Sequence, residues 1–233
     1  MDRILIAALV ISLSYFIVLS LPAVLVFGSA PRPDFMGAVT TTAIYSTLAT
    51  LLVLPASLLL GYAFTFRPTG RYISPLILFS TAIPHTAIGV LLAPIIFSLN
   101  ITDTGLAIVL GMFIVSTPIG VGVIRAAYAA QGIELEEYLR SMGVRGFRLQ
   151  WFYLKASPTS ILLAALLSWF RSFSELGVFL IIAQRPQTVG IYIFEEFLKS
   201  GPGVVVSASL LLLAVALSLA FAVVVLEHGP RDS

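Results

Sequence analysis

Cysteine is absent from this sequence and charged residues are scarce, and each shortage excludes a class of protein. Without cysteine the chain has no disulfide framework, no thiolate metal site and no thiol chemistry. Only 10% of its 233 residues are charged, whereas 59% are hydrophobic and the mean hydropathy is +1.05. Soluble domains carry roughly a quarter charged residues. The chain therefore lacks the polar residues needed to cover a water-exposed surface, and it is predicted to be an integral membrane protein.

Long apolar runs define the predicted architecture. About 20 apolar residues span a bilayer as a helix, and every backbone polar group inside the membrane needs a partner. The sequence therefore predicts an all-α membrane protein, a single transmembrane domain over residues 1–233 with six transmembrane helices. The six runs are 4–27, 39–66, 73–99, 104–124, 157–183 and 204–226.

Lysine and arginine are distributed unequally between the two ends of these runs. Of the 13 basic residues, Arg171 lies inside a run. With the N-terminus inside, only Arg32, Arg185 and Lys199 lie outside, and the other nine are cytoplasmic. Because cytoplasmic loops carry the excess of basic residues, we expect a multi-pass protein of the cell (plasma) membrane, surrounded by lipid, with both termini cytoplasmic. The net charge of +2 then reflects topology and indicates no nucleic-acid partner.

One long polar loop, residues 125–156, separates the fourth and fifth runs on the cytoplasmic side. Leu135, Leu139 and Met142 recur at helical spacing and predict one apolar stripe of a short helix. Gly143 follows where a left-handed residue would end that helix, and the amphipathic segment 147–153 predicts a second helix. We expect a helical hairpin across the membrane face. Two roles stay open on these residues alone, an interfacial connector with aromatic rings at headgroup depth and a docking surface for a cytosolic partner.

Ionisable residues inside the runs are few. Arg171 and Glu175 lie four positions apart in the fifth run, and such residues usually face a bundle interior or an aqueous cavity. Their spacing places both on one helix face, with Ser174 nearby. The pair either neutralises itself and ties the helix to a neighbour or lines a pathway, and both interpretations stay open. His85 follows Pro84 in the third run, and a lone histidine is a poor metal site. No metal site and no catalytic residue are predicted.

Several motifs together resemble one family of membrane proteins. Glu137 and Gly143, six positions apart, resemble the EAA loop of ABC-transporter permeases, although Tyr138 and Leu139 replace the two alanines of that motif. AIPHTAIGVLL, which starts at residue 82, and LSWFRSFSELGVFLII, which starts at residue 167, resemble segments of molybdate and tungstate permeases. Residues 186–201 follow the pattern of that family with adjustments. The resemblance covers residues 40–226.

This resemblance implies a permease subunit of an ATP-driven importer for molybdate or tungstate, which forms the pathway and is not itself an enzyme. The sequence lacks the G-x-x-x-x-G-K-[ST] phosphate loop, so ATP and its magnesium ion would be bound by a separate ATPase chain, and this chain needs no cofactor. The resemblance further implies a homodimer, two ABC ATPase subunits and an extracytoplasmic oxyanion-binding protein. A permease for sulfate or another oxyanion stays open, as does a self-contained secondary transporter.

The resemblance also implies roles for individual residues. The helix before Gly143 would be the coupling helix that docks on the ATPase. The residues expected to couple are Leu135, Glu137, Leu139, Met142 and Gly143. The residues expected on the translocation pathway or at its gate are Arg171, Ser174, Glu175, Pro84 and His85.

Overall fold

The computed structural model describes residues 3–25 and 33–228, and within these ranges every regular element is a helix and there is no strand. The all-α class is therefore confirmed. The helices in chain order are α1 (Arg3–Leu25), α2 (Asp34–Phe66), α3 (Pro68–Leu78), α4 (His85–Ser98), α5 (Gly105–Ala130), α6 (Ile133–Ser141), α7 (Phe147–Ala156), α8 (Pro158–Phe173), α9 (Phe179–Ile182), α10 (Val189–Ser200) and α11 (Pro202–His228). The end of the first predicted run at 26–27, Arg32 and both chain termini lie outside the described residues.

Two helices are long and apolar enough to cross a membrane, α2 with 33 residues and α5 with 26. A third candidate arises when the bent pair Pro68–Ala82 and His85–Ser98 is taken as one span. Shorter apolar helical stretches cover Ile6–Val18 and Pro202–Ser218. These lengths confirm an apolar helical protein with two clear spans, while the number of six stays a prediction.

The third predicted run, 73–99, is not one continuous helix. After α3 a 3₁₀ turn covers Phe79–Ala82, Ile83 is extended, and α4 begins at His85. The two halves meet at an angle of 110°. Pro84 causes the break because it has no N–H to donate and because it disfavours the α conformation at the residue before it.

The fifth predicted run, 157–183, is also interrupted. The helix α8 ends at Phe173, and the short helix α9 begins only at Phe179. The prediction that Arg171 and Glu175 share one helix face is therefore wrong, because Glu175 lies beyond the end of α8. The physical reason is local: the carboxylate of Glu175 accepts a hydrogen bond from the backbone N–H of Val178, at 2.8 Å, and so competes with helical hydrogen bonding.

The chain divides into two compact units. In the described part of Met1–Gly37 and Tyr192–Ser233, α1 packs against α11, and the rings of Phe35 and Tyr192 lie 5.4 Å apart. In Ala38–Ile191, α5 packs along α8, and α4 packs against α9. All the residues predicted for coupling and for the pathway lie in this second unit.

Small residues allow close packing at the centre of the unit Ala38–Ile191. Gly120 lies on α5 between α2 and α8, and a Cβ added to it would lie 2.4 Å from Oγ of Ser57 and 2.9 Å from Oγ of Ser168. Both serines are fully buried. Glycine at such a crossing lets apolar helices approach closely, so Gly120 sets the spacing of three helices.

We expect Gly120→Ala to destabilise the protein and Gly122→Ala to leave its stability nearly unchanged. A methyl group at Gly120 would overlap two buried hydroxyl groups, and overpacking of this kind costs about 1–3 kcal/mol. On another face of the same helix, a methyl group at Gly122 would meet only Cδ2 of Leu78, at 3.7 Å. Thermal unfolding of both variants in detergent measures the difference. Equal unfolding temperatures would contradict the proposed packing.

Candidate functional site

The two helix breaks lie against each other. His85 begins α4 after the first break, and Gly177 lies in the second. A Cβ on Gly177 would lie 2.8 Å from Cβ of His85 and 3.1 Å from the backbone nitrogen of Thr86. Any larger residue would push the two segments apart, so Gly177 permits their contact. We call this contact, formed by residues 83–86 and 171–178, the break junction.

The carboxylate of Glu175 lies at the centre of the break junction and is completely buried. One oxygen, Oε1, accepts the backbone N–H of Val178 at 2.8 Å. The other, Oε2, accepts a hydrogen bond from Nη2 of Arg171 at 2.8 Å and lies 2.9 Å from Nδ1 of His85. A buried carboxylate is tolerated only when it is paired and hydrogen-bonded. These three partners meet that requirement.

Arg171 joins the buried carboxylate to the exposed side of the junction. Its side chain is 20% exposed, and Nη2 contacts the imidazole of His85, lying 2.7 Å from Nε2. The other terminal nitrogen, Nη1, donates to Oγ of the exposed Ser174 at 3.3 Å. Guanidinium carries five N–H donors, so these contacts leave some of them unused. Donors of Arg171 and the hydroxyl of Ser174 thus share a partly open surface.

The break junction brings together all five residues that the sequence predicts for a pathway. His85, Arg171, Ser174 and Glu175 are in direct contact, and Pro84 precedes the first residue of α4. Two contributors were missed, the backbone N–H of Val178 and Gly177. A glycine at position 177 is itself a signal that another backbone segment passes close by. The sequence does not show which one, because His85 and Thr86 lie about ninety positions away.

Two other serines near Arg171 face the protein interior. Oγ of Ser172 donates to Oγ of Ser116 on α5 at 3.1 Å, and Ser168 is buried beside Gly120. They belong to the packing between α5 and α8. Of the three serines, only Ser174 is exposed.

The helix α6 presents two different faces. Leu139 is 6% exposed and packs with Tyr62, Tyr128 and Tyr153, and Leu135 is partly buried against the same cluster. The opposite face exposes three further side chains, Glu137, Tyr138 and Met142. The predicted apolar stripe is therefore divided, because its first two leucines hold α6 to this chain's own core.

A buried acid also holds α6 in place. Oε1 of Glu136 accepts a hydrogen bond from the phenol of Tyr62 on α2, at 2.9 Å, and pairs with Nε of Arg140. The hydrogen bonds to Tyr62 and Glu136 raise the pKa of Arg140 above its usual value. Burial raises the pKa of the neighbouring Tyr153 to about 12, so this phenol is neutral at physiological pH. Sequence reasoning selected the adjacent Glu137 and missed Glu136.

The end of α6 has the predicted geometry. Gly143 adopts a φ of +83°, in the left-handed region. Its N–H donates to the carbonyl of Arg140, and the N–H of Val144 donates to the carbonyl of Leu139, each at 3.0 Å. These two hydrogen bonds form a Schellman motif, and Val144 and Leu139 belong to the same apolar cluster, as this motif favours. The predicted glycine cap is confirmed.

A cavity of about 470 Å³ lies beside the start of α6. Its lining includes Arg125, Thr65 and Glu134. The hydroxyl of Thr65 donates to the carbonyl of Gly61 at 2.8 Å and offers no further donor, and the carboxylate of Glu134 repels anions. The cavity therefore suits an oxyanion poorly. Within 3–25 and 33–228, no cluster of three or more His, Cys, Asp or Glu residues is arranged to hold a metal ion.

Comparison with known proteins identifies several relatives, although no protein-family model matches the sequence. The molybdate/tungstate transport system permease protein WtpB of Pyrococcus furiosus is 32% identical over 180 residues, covering 75% of this chain and 70% of that protein. The protein of the same name from Thermococcus kodakarensis is 29% identical, covering 82% and 78%. The one from Methanocaldococcus jannaschii is 28% identical, covering 76% of both chains.

We expect Arg171 and Glu175 to be energetically coupled. Glu175→Gln keeps an acceptor for the N–H of Val178 but leaves the guanidinium without its carboxylate, and removing one partner of a buried pair costs more than replacing both. The double variant Arg171→Gln/Glu175→Gln should therefore lose less stability than the sum of the two single variants, by about 0.5–3 kcal/mol. Unfolding of all four proteins in detergent gives this coupling energy, and strictly additive losses would contradict the geometry described.

Proposed function

This chain belongs to the family of molybdate/tungstate transport permeases, and from that membership we propose that it is the membrane subunit of an ATP-driven importer of these oxyanions. As a transport permease, it is a membrane protein and not itself an enzyme. The observation that carries the proposal is the break junction, in which a partly exposed arginine lies over a buried carboxylate where two helices are interrupted.

Interrupted helices with buried charges are suited to transport. Helix breaks near the middle of a membrane expose backbone and side-chain groups to a passing ion, and ionisable residues in apolar segments mark substrate routes. Arg171 and Glu175 are the only Asp, Glu, Lys or Arg residues in the six apolar runs. We place the translocation pathway along the exposed side of the break junction, where Arg171 offers donors to oxyanion oxygens and the exposed Ser174 lies beside it.

The charge balance of the junction favours passage over retention. A lone arginine in an apolar surrounding would attract a dianion strongly, whereas conduction requires that the ion also leave. Glu175 pairs with Arg171 at 2.8 Å and cancels its net charge, while unused guanidinium donors remain on the open side. The pathway therefore contacts the oxyanion without a tight site, and substrate selection lies mainly with the binding protein.

The same junction serves as the gate in this proposal. Glu175 contacts residues from the end of α8, the start of α4 and the start of α9. A displacement of any one of these segments changes the hydrogen bonds of the other two. Pro84 and Gly177 keep both breaks in place. The moving segments are therefore the short stretches of the break junction, and the remaining helices move as rigid bodies.

Coupling to ATP hydrolysis is assigned to α6. The chain has no phosphate loop, so two separate ATPase subunits bind ATP and magnesium. The exposed Glu137, Tyr138 and Met142 contact the ATPase, while Leu135 and Leu139 transmit the movement inward. The aromatic cluster joins α6 to α2, α5 and α7, so displacement of α6 reaches the membrane helices directly.

The complete importer contains further parts. We propose that two copies of the chain pair around the pathway, each with six spans and with both termini cytoplasmic. An extracytoplasmic oxyanion-binding protein delivers the substrate from outside. This arrangement rests on the distribution of basic residues and on family membership.

Reconstitution into vesicles tests the proposal through Gly143. In a vesicle holding the permease, its ATPase and the binding protein, we expect ATP-driven uptake of labelled molybdate and tungstate. Gly143→Val places a β-branched residue at a positive φ, at a cost of about 1–2 kcal/mol. Uptake should fall by about tenfold while the complex still assembles and hydrolyses ATP. Gly143→Asn is the matched control and should retain uptake, because asparagine tolerates this conformation.

Three outcomes would contradict parts of the proposal. Uptake that proceeds without the ATPase would indicate a secondary transporter. Complete competition by an equal concentration of sulfate would indicate a general oxyanion permease. Coupled uptake by Gly143→Val at the wild-type rate would remove α6 from the coupling route.

A further inference from the structure

The helix α7 carries an exposed stripe of side chains that no partner covers within the described residues. Phe147, Trp151 and Lys155 follow at intervals of four, and we call them the α7 stripe. The rings of Phe147 and Trp151 stack with centroids 6.2 Å apart and planes 24° apart. Nζ of Lys155 lies 5.5 Å from the ring centroid of Trp151. Phe147 is 75% and Trp151 47% exposed.

The orientation of α7 is fixed from its other side. Leu149 and Tyr153 are fully buried in the aromatic cluster that also holds Leu139 of α6. Rotating α7 to bury the stripe would expose these two side chains, at the cost of their apolar contacts. The stripe is therefore a permanent outward surface of the folded chain.

Along the sequence, the charged residues that flank the stripe are all basic. From Tyr138 to Ser174 the sequence contains no acidic residue. Arg145, Arg148 and Lys155 belong to this segment, are exposed, and form no ion pair among the residues that the structure describes. The chemical complement of this surface is an anionic partner that also accommodates flat aromatic rings.

The position of α7 identifies that partner as lipid. A single residue, Ser157, separates α7 from α8, whose apolar sequence belongs to the fifth predicted run. The stripe thus lies where the chain passes from polar to apolar surroundings. Tryptophan concentrates at such membrane interfaces, and lysine and arginine beside it pair with anionic headgroups.

We propose that the α7 stripe binds the headgroups of anionic lipids, so that α7 is anchored to the membrane surface while the exposed face of α6 stays turned to the cytosol. The anchor goes beyond transport itself. It holds α7 in place on one side of the cluster formed by Tyr62, Tyr128, Leu139 and Tyr153. A displacement of α6 would then move α2 and α5 and leave α7 where it is.

Tryptophan fluorescence tests this proposal, because the chain contains only two tryptophans. The full-length variant Trp169→Phe leaves Trp151 as the sole emitter. It is reconstituted into phosphatidylcholine vesicles with a rising fraction of phosphatidylglycerol brominated near the headgroup. We expect a low fraction of this brominated anionic lipid to quench Trp151. In a second series, phosphatidylglycerol vesicles contain a rising fraction of brominated phosphatidylcholine, and there we expect quenching only at a high fraction. Trp151→Phe is the matched control. It leaves Trp169, whose indole N–H donates a hydrogen bond to Oγ1 of Thr47 at 3.1 Å, and this residue should not distinguish the two lipids.

Charge removal supplies the second measurement. Lys155→Gln in the Trp169→Phe background should raise the phosphatidylglycerol fraction for half-maximal quenching by about fivefold, the factor that corresponds to about 1 kcal/mol per surface cation. Gln150→Lys, on the same helix but outside the stripe, adds a cation and should not raise that fraction. Should Trp169→Phe fail to fold, 5-fluorotryptophan resonances of the unsubstituted chain report the same titration. Equal quenching by both lipids, or quenching of Trp151 by aqueous iodide with none by lipid, would overturn the proposal.

Discussion

The rest of this structure depends on the burial of one carboxylate. Glu175 has no exposed side-chain surface, and an ion in an apolar interior is stable only when its oxygens are occupied. Its partners come from three places, the last turn of α8, the first residue of α4 and the backbone at the start of α9. One side chain therefore fixes where α8 stops and how that break meets the one at Pro84.

A second buried acid holds together the region of the same unit that we propose for coupling. Glu136 is buried on α6 and accepts hydrogen bonds from Tyr62 of α2 and from Arg140. Around it, Leu139, Tyr128, Leu149 and Tyr153 form a packed cluster from three helices, α5, α6 and α7. Packed side chains of this kind move together and have low compressibility. In the coupling that we propose, motion imposed on the exposed face of α6 passes to α2 and α5, and through α5 to the helix α8 that ends at the break junction.

Composition and local signals predicted a good part of this arrangement. Scarce charge and long apolar runs indicated membrane helices, Gly143 indicated the end of α6, and the few ionisable residues of the runs proved to be neighbours in space. The break after α8 was missed, because hydropathy does not register a side chain that accepts a backbone N–H, as Glu175 does. The break before α4 lies at Pro84, a residue that itself signals an interruption. The two faces of α6 were also assigned incorrectly. Which acid is buried depends on Tyr62, which lies 74 positions away in sequence, and no local pattern contains that information.

We propose that the exposed side of the break junction lines the oxyanion route, and the absence of cysteine allows a direct test of this placement. Ser174 is exposed beside Arg171, whereas Ser172, two residues earlier, is buried against Ser116. The measurement is the rate at which a charged, membrane-impermeant thiol reagent modifies Ser174→Cys and Ser172→Cys in the assembled transporter during ATP turnover. We expect that Ser174→Cys reacts, that tungstate or molybdate slows this reaction, and that Ser172→Cys stays unmodified. Equal rates at the two positions, or a Ser174→Cys rate that neither oxyanion changes, would contradict it.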